Sequence, residues 1–131
     1  ARALDHVWGY AIGLDMTVRG RELQCFRKSI DTYSVLGPWM VSKDEIADPN
    51  SLDLSIKVNG ELRQHSNTRY LVYDVQRLIE YASSMYTLYP GDILMTGTPA
   101  GVGPVNTGDL LTAEIEAIGR FDIRVAPAYA G

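Results

Sequence analysis

Cysteine is nearly absent from this sequence: Cys25 stands alone in 131 residues, so no intrachain disulfide can form and a reducing compartment such as the cytoplasm is expected. Histidine is scarce too. His6 and His65 lie far apart, without the close spacing of a zinc pair, which argues against a zinc site built from this chain. No apolar run approaches the roughly 18 residues of a membrane-spanning helix. The opening Ala1-Arg2-Ala3-Leu4-Asp5 has neither a secretory apolar region nor an initiator Met, so the chain is expected to lack its natural beginning. Basic residues are in the minority, 12 Lys and Arg against 16 Asp and Glu, for a net charge of −4. That balance argues against nucleic acid or an anionic membrane as a partner held by bulk electrostatics. What remains is an ordinary globular composition, 46% hydrophobic and 21% charged, in one domain's length.

The pattern along the chain is β-rich. Residues 4–8 read as the last turns of a helix, and Gly9 to Val18 as one apolar strand with two glycines, which often mark a bulge or a close backbone approach. Residues 19–37 show no sustained period and read as a long ordered loop, a kind of segment that is frequently functional. Pro38 to Val41 reads as a short strand and Lys43 to Asn50 as a polar connector. Leu52, Leu54, Ile56 and Val58 alternate with polar residues up to Asn59-Gly60, then Glu61-Leu62-Arg63-Gln64 follows; this is a strong hairpin signal. Asp74 is placed to cap a helix from Val75 to Tyr86, whose apolar residues recur at helical spacing and should pack on the sheet. After a turn at Pro90-Gly91-Asp92, Ile93 to Thr96 reads as a buried strand and Gly97 to Pro104 as a Gly/Pro-rich loop. Leu110 to Ile118 and Phe121 to Val125 complete a second hairpin or meander around Gly119-Arg120, for some seven strands.

Several residues invite a chemical reading. Asp15 sits in an otherwise apolar strand, where a carboxylate pairs with a cation such as Arg19, faces solvent or binds a metal; magnesium suits such hard oxygen. Arg19, Arg21, Arg27 and Lys28 against Glu22 make a basic segment able to hold a carboxylate or phosphate, or simply a solvated loop. The Gly97 to Gly103 loop could form an anion nest, with Thr98 its hydrogen-bonding side chain, yet it lacks the glycine spacing of nucleotide-binding motifs. A nucleophile made of Ser29 and Lys28 is disfavoured, since neighbours in an extended segment point to opposite sides.

The runs GYAIGLDMTVRG, RKSIDTYSVLGPW, LSIKVNGELRQHSNTR, LYPGDILMTGTPAGVGPV and GDLLTAEIEAIG, in this order, resemble the C-terminal catalytic domain of the fumarylacetoacetate hydrolase family. The resemblance covers nearly the whole chain. It implies an α+β, β-rich fold, a mixed β-sheet roll or barrel with a few short helices, with residues 1–131 forming one such domain without its N-terminal part. It further implies a Mg²⁺ or Mn²⁺ cofactor and a small oxo-carboxylate substrate, with negative charge on the reacting carbon stabilised by the metal. By motif, Asp15 is the metal-ligating aspartate, Lys28 the lysine that stabilises oxyanion charge, and Thr98 the threonine that contacts the substrate carboxylate. Gly97 supplies backbone to the same pocket, and Arg19 and Gln24 are substrate-binding candidates. The family's Glu-x-Glu metal pair and its Glu–His base lie upstream of this chain, and neither His6 nor His65 matches the latter.

These implications favour a hydrolase, isomerase or decarboxylase of 2-oxo or 2,4-dioxo (di)carboxylates in aromatic-compound catabolism, of the 2-hydroxyhepta-2,4-diene-1,7-dioate isomerase or 5-oxopent-3-ene-1,2,5-tricarboxylate decarboxylase type. Acylpyruvate hydrolysis and oxaloacetate decarboxylation are alternatives within the family. A noncatalytic module that kept the fold without the glutamates is the alternative from another class. The resemblance also implies a homodimer, for which Tyr70, Tyr73, Tyr86 and Tyr89 beside the helix are interface or core candidates.

Overall fold

The computed structural model describes residues 2–127. Among them are eight strands, two α-helices and three 3₁₀ turns. The β-rich character read from the pattern, and the α+β class that the resemblance implies, are therefore present.

The centre is an antiparallel sheet in the order β6-β5-β7-β8, built from β5 (Asp53–Val58), β6 (Glu61–Asn67), β7 (Leu110–Ile115) and β8 (Gly119–Arg124). The first hairpin forms where the sequence places it. Asn59 and Gly60 turn the chain at φ 52° and 85°, the left-handed pair that a two-residue hairpin loop requires. The second hairpin turns earlier than expected. Ile115 pairs with Gly119, so Glu116 to Ile118 form the connection and Gly119-Arg120 already belong to β8. Ala117, at φ 60°, takes the left-handed position there.

Two short ribbons flank this sheet. The expected single strand from Gly9 to Val18 is divided into β1 (Gly9–Tyr10), which pairs with β4 (Val41–Ser42), and β2 (Gly13–Asp15), which pairs with β3 (Ser34–Leu36). The change of partner between Tyr10 and Gly13 is what breaks the strand. Pro38 to Met40 are outside β4, and residues 3–6 make a 3₁₀ turn rather than helix. The segment 19–37 is more ordered than a loop. It contains α1 (Gln24–Lys28) and β3, tied to the β2 strand by Met16 N–H to Tyr33 C=O at 3.0 Å and Val18 N–H to Arg27 C=O at 3.1 Å.

Ile12, Leu14, Ile46, Leu52, Val58, Leu111, Ala113 and Ile118 form the buried core, drawn from the ribbon strand β2, from β5 and β7 of the sheet, and from the connections beside them. Trp39, itself exposed, is tied to the β7–β8 turn by its indole N–H, which donates to the Ile118 carbonyl at 2.9 Å. The helix α2 (Val75–Met85) starts as expected, with the Asp74 side chain accepting from the Arg77 amide at 2.7 Å. Asn50 reinforces that start by accepting from Val75 N–H at 2.9 Å.

Its packing differs from expectation. α2 lies against the Ala3–His6 turn rather than flat on the sheet, and Val75 is its one buried residue. Ile93 to Thr96 also departs from the buried strand expected of it. The segment has no strand partner, and Ile93, Leu94 and Met95 are exposed, because it runs along the rim of an open trough instead of entering the sheet. No helix of the described residues is long and apolar enough to cross a membrane.

Candidate functional site

The inner face of the sheet, the β1–β2 segment, α2 and the 86–105 connection surround a trough of about 2740 Å³. Small-molecule pockets occupy roughly 300–1,000 Å³, so this is an open channel into which a site faces rather than a closed ligand mould. Asp15, Arg19, Gln24, Lys28, Gly97 and Thr98 all line it.

Asp15 ends β2, whose ladder with β3 holds Leu14 inward in the core and leaves the Asp15 carboxylate outward on the trough. The last residue of α1 is Lys28, and its Nζ donates to Asp15 Oδ2 in an ion pair. The carboxylate therefore pairs with Lys28 rather than with Arg19. Side-chain exposure is 30% for Lys28 and 38% for Asp15, so both groups stay accessible to a ligand. Ser29 takes no part in a nucleophilic pair: its hydroxyl donates to the Cys25 carbonyl at 2.6 Å, back along its own helix. Arg27 carries a buried Nε without a hydrogen-bond partner among the described residues. Arg19 and Gln24 line the same trough, with no side-chain hydrogen bond or ion pair to Asp15 or Lys28 among the described residues.

Also lining the trough, the Gly97 to Pro104 loop rests on β6. Gln64 fastens it by donating from Nε2 to Thr98 Oγ1 at 3.0 Å and to the Pro99 carbonyl at 2.8 Å. Gly101 lies so close that a Cβ there would overlap the Arg63 carbonyl oxygen, and its φ of 97° also excludes most side chains. Gln64 is absent from the set of site residues read from the sequence. The hairpin register explains why. A two-residue turn places Arg63 opposite Ile56, but a β-bulge makes Ile56 face Gln64 and Lys57 face Leu62, with Arg63 the extra residue.

Tyr10, on β1, also lines the trough. Burial, and secondarily the nearby Asp48 carboxylate, push its phenol pKa above 10.0, so it is a protonated hydroxyl at neutral pH. His6 lines the trough as well, and His65 lies on β6 across from Ser55.

A divalent cation needs several hard oxygen donors. Asp15 fits as one of them, being an accessible carboxylate on the trough. Among the described residues, however, no three His, Cys, Asp or Glu side chains gather as a metal centre. The donor set contained here is thus incomplete.

Comparison with known proteins accords with this geometry. The family model described as fumarylacetoacetate (FAA) hydrolase C-terminal matches residues 1–126. The maleylpyruvate hydrolase of Aquipseudomonas alcaligenes is 56% identical over 124 residues, which are 95% of this chain and 43% of that protein. The crystal structure of maleylpyruvate hydrolase from Sphingobium sp. SYK-6 in complex with manganese(II) and pyruvate superposes with a TM-score of 0.91 at 47% identity, covering 95% of this chain and 46% of that one. The crystal structure of 2-hydroxyhepta-2,4-diene-1,7-dioate isomerase from Mycobacterium marinum gives 0.89 at 39% identity, over 95% of this chain and 50% of that one. The chain spans about half the length of the curated relatives it matches, from 41% in a Xenopus laevis protein to 58% in a Pyrococcus abyssi protein. With the matched model running over nearly every described residue and the fold shared with relatives of this identity, the chain belongs to the fumarylacetoacetate hydrolase family.

Proposed function

We propose that this chain is the C-terminal catalytic domain of a divalent-metal-dependent enzyme that hydrolyses the C–C bond of an acylpyruvate, a small 2,4-dioxo carboxylate. The observation that supports it most is that the Asp15–Lys28 pair and Thr98, on its glycine-rich loop, line one trough. A carboxylate, an ammonium and a hydroxyl are the groups needed to hold a cation, to meet developing oxyanion charge and to grip a substrate carboxylate. The relative named maleylpyruvate hydrolase favours the acylpyruvate over the other substrates of the family.

In this reading the Lys28 ammonium, held in place by Asp15, stands where negative charge grows during bond cleavage and stabilises it without reorganising. Thr98 donates its hydroxyl proton to the substrate carboxylate, while the Gly97 backbone shapes the same wall. Arg19 and Gln24 orient the far end of the substrate. Asp15 is the residue here that would hold a Mg²⁺ or Mn²⁺ ion, by one carboxylate oxygen. When bound, that ion supplies Lewis-acid stabilisation of the electron-rich reacting carbon.

A second reading, isomerisation of a 2-hydroxyhepta-2,4-diene-1,7-dioate, draws on the solved isomerase of that name. Both are tested by incubating the Mn²⁺-loaded protein with maleylpyruvate, fumarylpyruvate and the dienedioate. Release of pyruvate from the first two is expected. Isomerisation of the dienedioate alone favours the second reading, and no turnover together with no saturable Mn²⁺ binding leaves a noncatalytic module. We also infer a cytoplasmic homodimer. The exposed Tyr70, Tyr73, Tyr86 and Tyr89 and the exposed free thiol of Cys25 support it, and sedimentation velocity tests the dimer.

A further inference from the structure

We propose that Gln64 is a positioning residue that sets the polarity of the Thr98 hydroxyl, so that the hydroxyl proton is offered to a carboxylate ligand in the trough. This rests on the reading of Thr98 as a substrate contact.

The β-bulge at Arg63 brings Gln64 to the inner face of the sheet. Gln64 faces Ile56, and Ile56 in turn faces the buried Ala113 on β7. There its amide nitrogen meets three oxygens, Thr98 Oγ1 at 3.0 Å, Pro99 C=O at 2.8 Å and Ala100 C=O at 3.4 Å. Carbonyl oxygens only accept hydrogen bonds, so Pro99 and Ala100 decide which way round the amide sits: the NH₂ end faces the loop. The same NH₂ group therefore donates to Thr98 Oγ1. A hydroxyl has two lone pairs and one proton. With a lone pair engaged by Gln64, the proton turns away from β6, toward the exposed side where Thr98 lines the trough. A carboxylate there receives a charge-assisted hydrogen bond. An acceptor in place of the amide would instead draw the Thr98 proton toward β6 and present a lone pair to the ligand.

The test measures pyruvate affinity of the Mn²⁺-loaded enzyme by calorimetry, with melting temperature as a control for folding, for Thr98→Val, Gln64→Glu and the double variant. Thr98→Val is expected to weaken pyruvate roughly 10–100-fold, as befits loss of a hydrogen bond to a charged group. At pH 7.5, Gln64→Glu is expected to weaken it by a similar factor, with the loss shrinking toward pH 5 as the introduced carboxyl gains a proton it can donate. In the Thr98→Val background the same change should add less than about threefold, because the two side chains act through one contact. A Gln64→Glu penalty of equal size in both backgrounds, or no penalty at all, overturns the proposal while the Thr98 reading stands. An unchanged affinity in Thr98→Val removes the Thr98 reading and this proposal with it. If Gln64→Glu does not fold, Gln64→Met carries the same cycle: a penalty that vanishes without the Thr98 hydroxyl supports the proposal, and one that persists overturns it.

Discussion

Lys28 and Asp15 meet across a separation of 13 residues because α1 folds back on the strand that carries the aspartate. The backbone link from Val18 N–H to Arg27 C=O closes that fold-back one residue before the lysine. The ammonium thereby neutralises the one carboxylate that the proposed cation would use, so the two positive charges share a ligand and repel each other. Replacing Lys28 by Met is expected to lower turnover by about 10²–10³ if the lysine supplies oxyanion stabilisation. The same change should leave Mn²⁺ affinity equal or tighter. Weaker Mn²⁺ binding in that variant would mean that Lys28 supports the ion instead of competing with it.

Asp15→Ala separates the metal role from a folding role. Loss of a group that merely supports a metal ligand costs about 10–100-fold in affinity, and loss of the ligand itself at least as much. Stability should barely move, since an ion pair this accessible contributes about 0.2–1 kcal/mol. Mn²⁺ titration and a thermal melt on the same sample check both halves. A large fall in melting temperature with unchanged Mn²⁺ binding would make Asp15 a structural residue.

Asp109 gives the fold a pH dependence. Its carboxylate accepts from Asn106 N–H at 2.7 Å and from the Asn59 side chain at 2.8 Å, and these two bonds, the backbone one first, hold its pKa below the usual 3.8. Because the folded-state value lies below the unfolded one, the stabilisation is complete above the unfolded value and disappears as pH falls through the lowered one. Asp109→Asn should therefore melt at a lower temperature than the parent at pH 7, with the gap narrowing at pH 3. A gap that stays constant across that range would assign the effect to packing.

Gly101→Ala tests how the Thr98 loop is seated. The added methyl meets both a left-handed backbone and the Arg63 carbonyl. The strain is expected to cost about 1–3 kcal/mol of stability or to lift the loop from β6. Either way pyruvate binding to the Mn²⁺-loaded enzyme should weaken along with the melting temperature. Full affinity and an unchanged melt would show that the loop has another resting place.

Local chemistry made much of this legible in advance. Asn59-Gly60 and Asp74 act through the few residues beside them, so the first hairpin and α2 lie where their sequences put them. Asp15, Lys28 and Thr98 carried motifs, and all three line one trough. Ile93 to Met95 misled because apolar β-formers look alike whether they enter a sheet or edge a channel; only the missing partner strand separates the two. Gln64 was hidden for a different reason. Nothing in Glu61-Leu62-Arg63-Gln64 announces the extra residue, since a bulge is decided by the partner strand and by the loop laid upon it.

In a pleated strand, which side a residue occupies is a question of odd or even count from the turn. Counting without interruption, the seat across from Ile56 is odd and would go to Arg63; the bulge changes the parity and seats Gln64 there. A deletion of one residue between Gly60 and Gln64 would absorb the bulge and leave Gln64 opposite Ile56 with every later pairing of β6 unchanged, whereas closing the bulge at the present length would seat Arg63 there and move every later side chain of β6 by one place. The way that one extra residue is accommodated, as much as the identity of any residue in the stretch, therefore determines which side chain the channel wall presents to the glycine-rich loop.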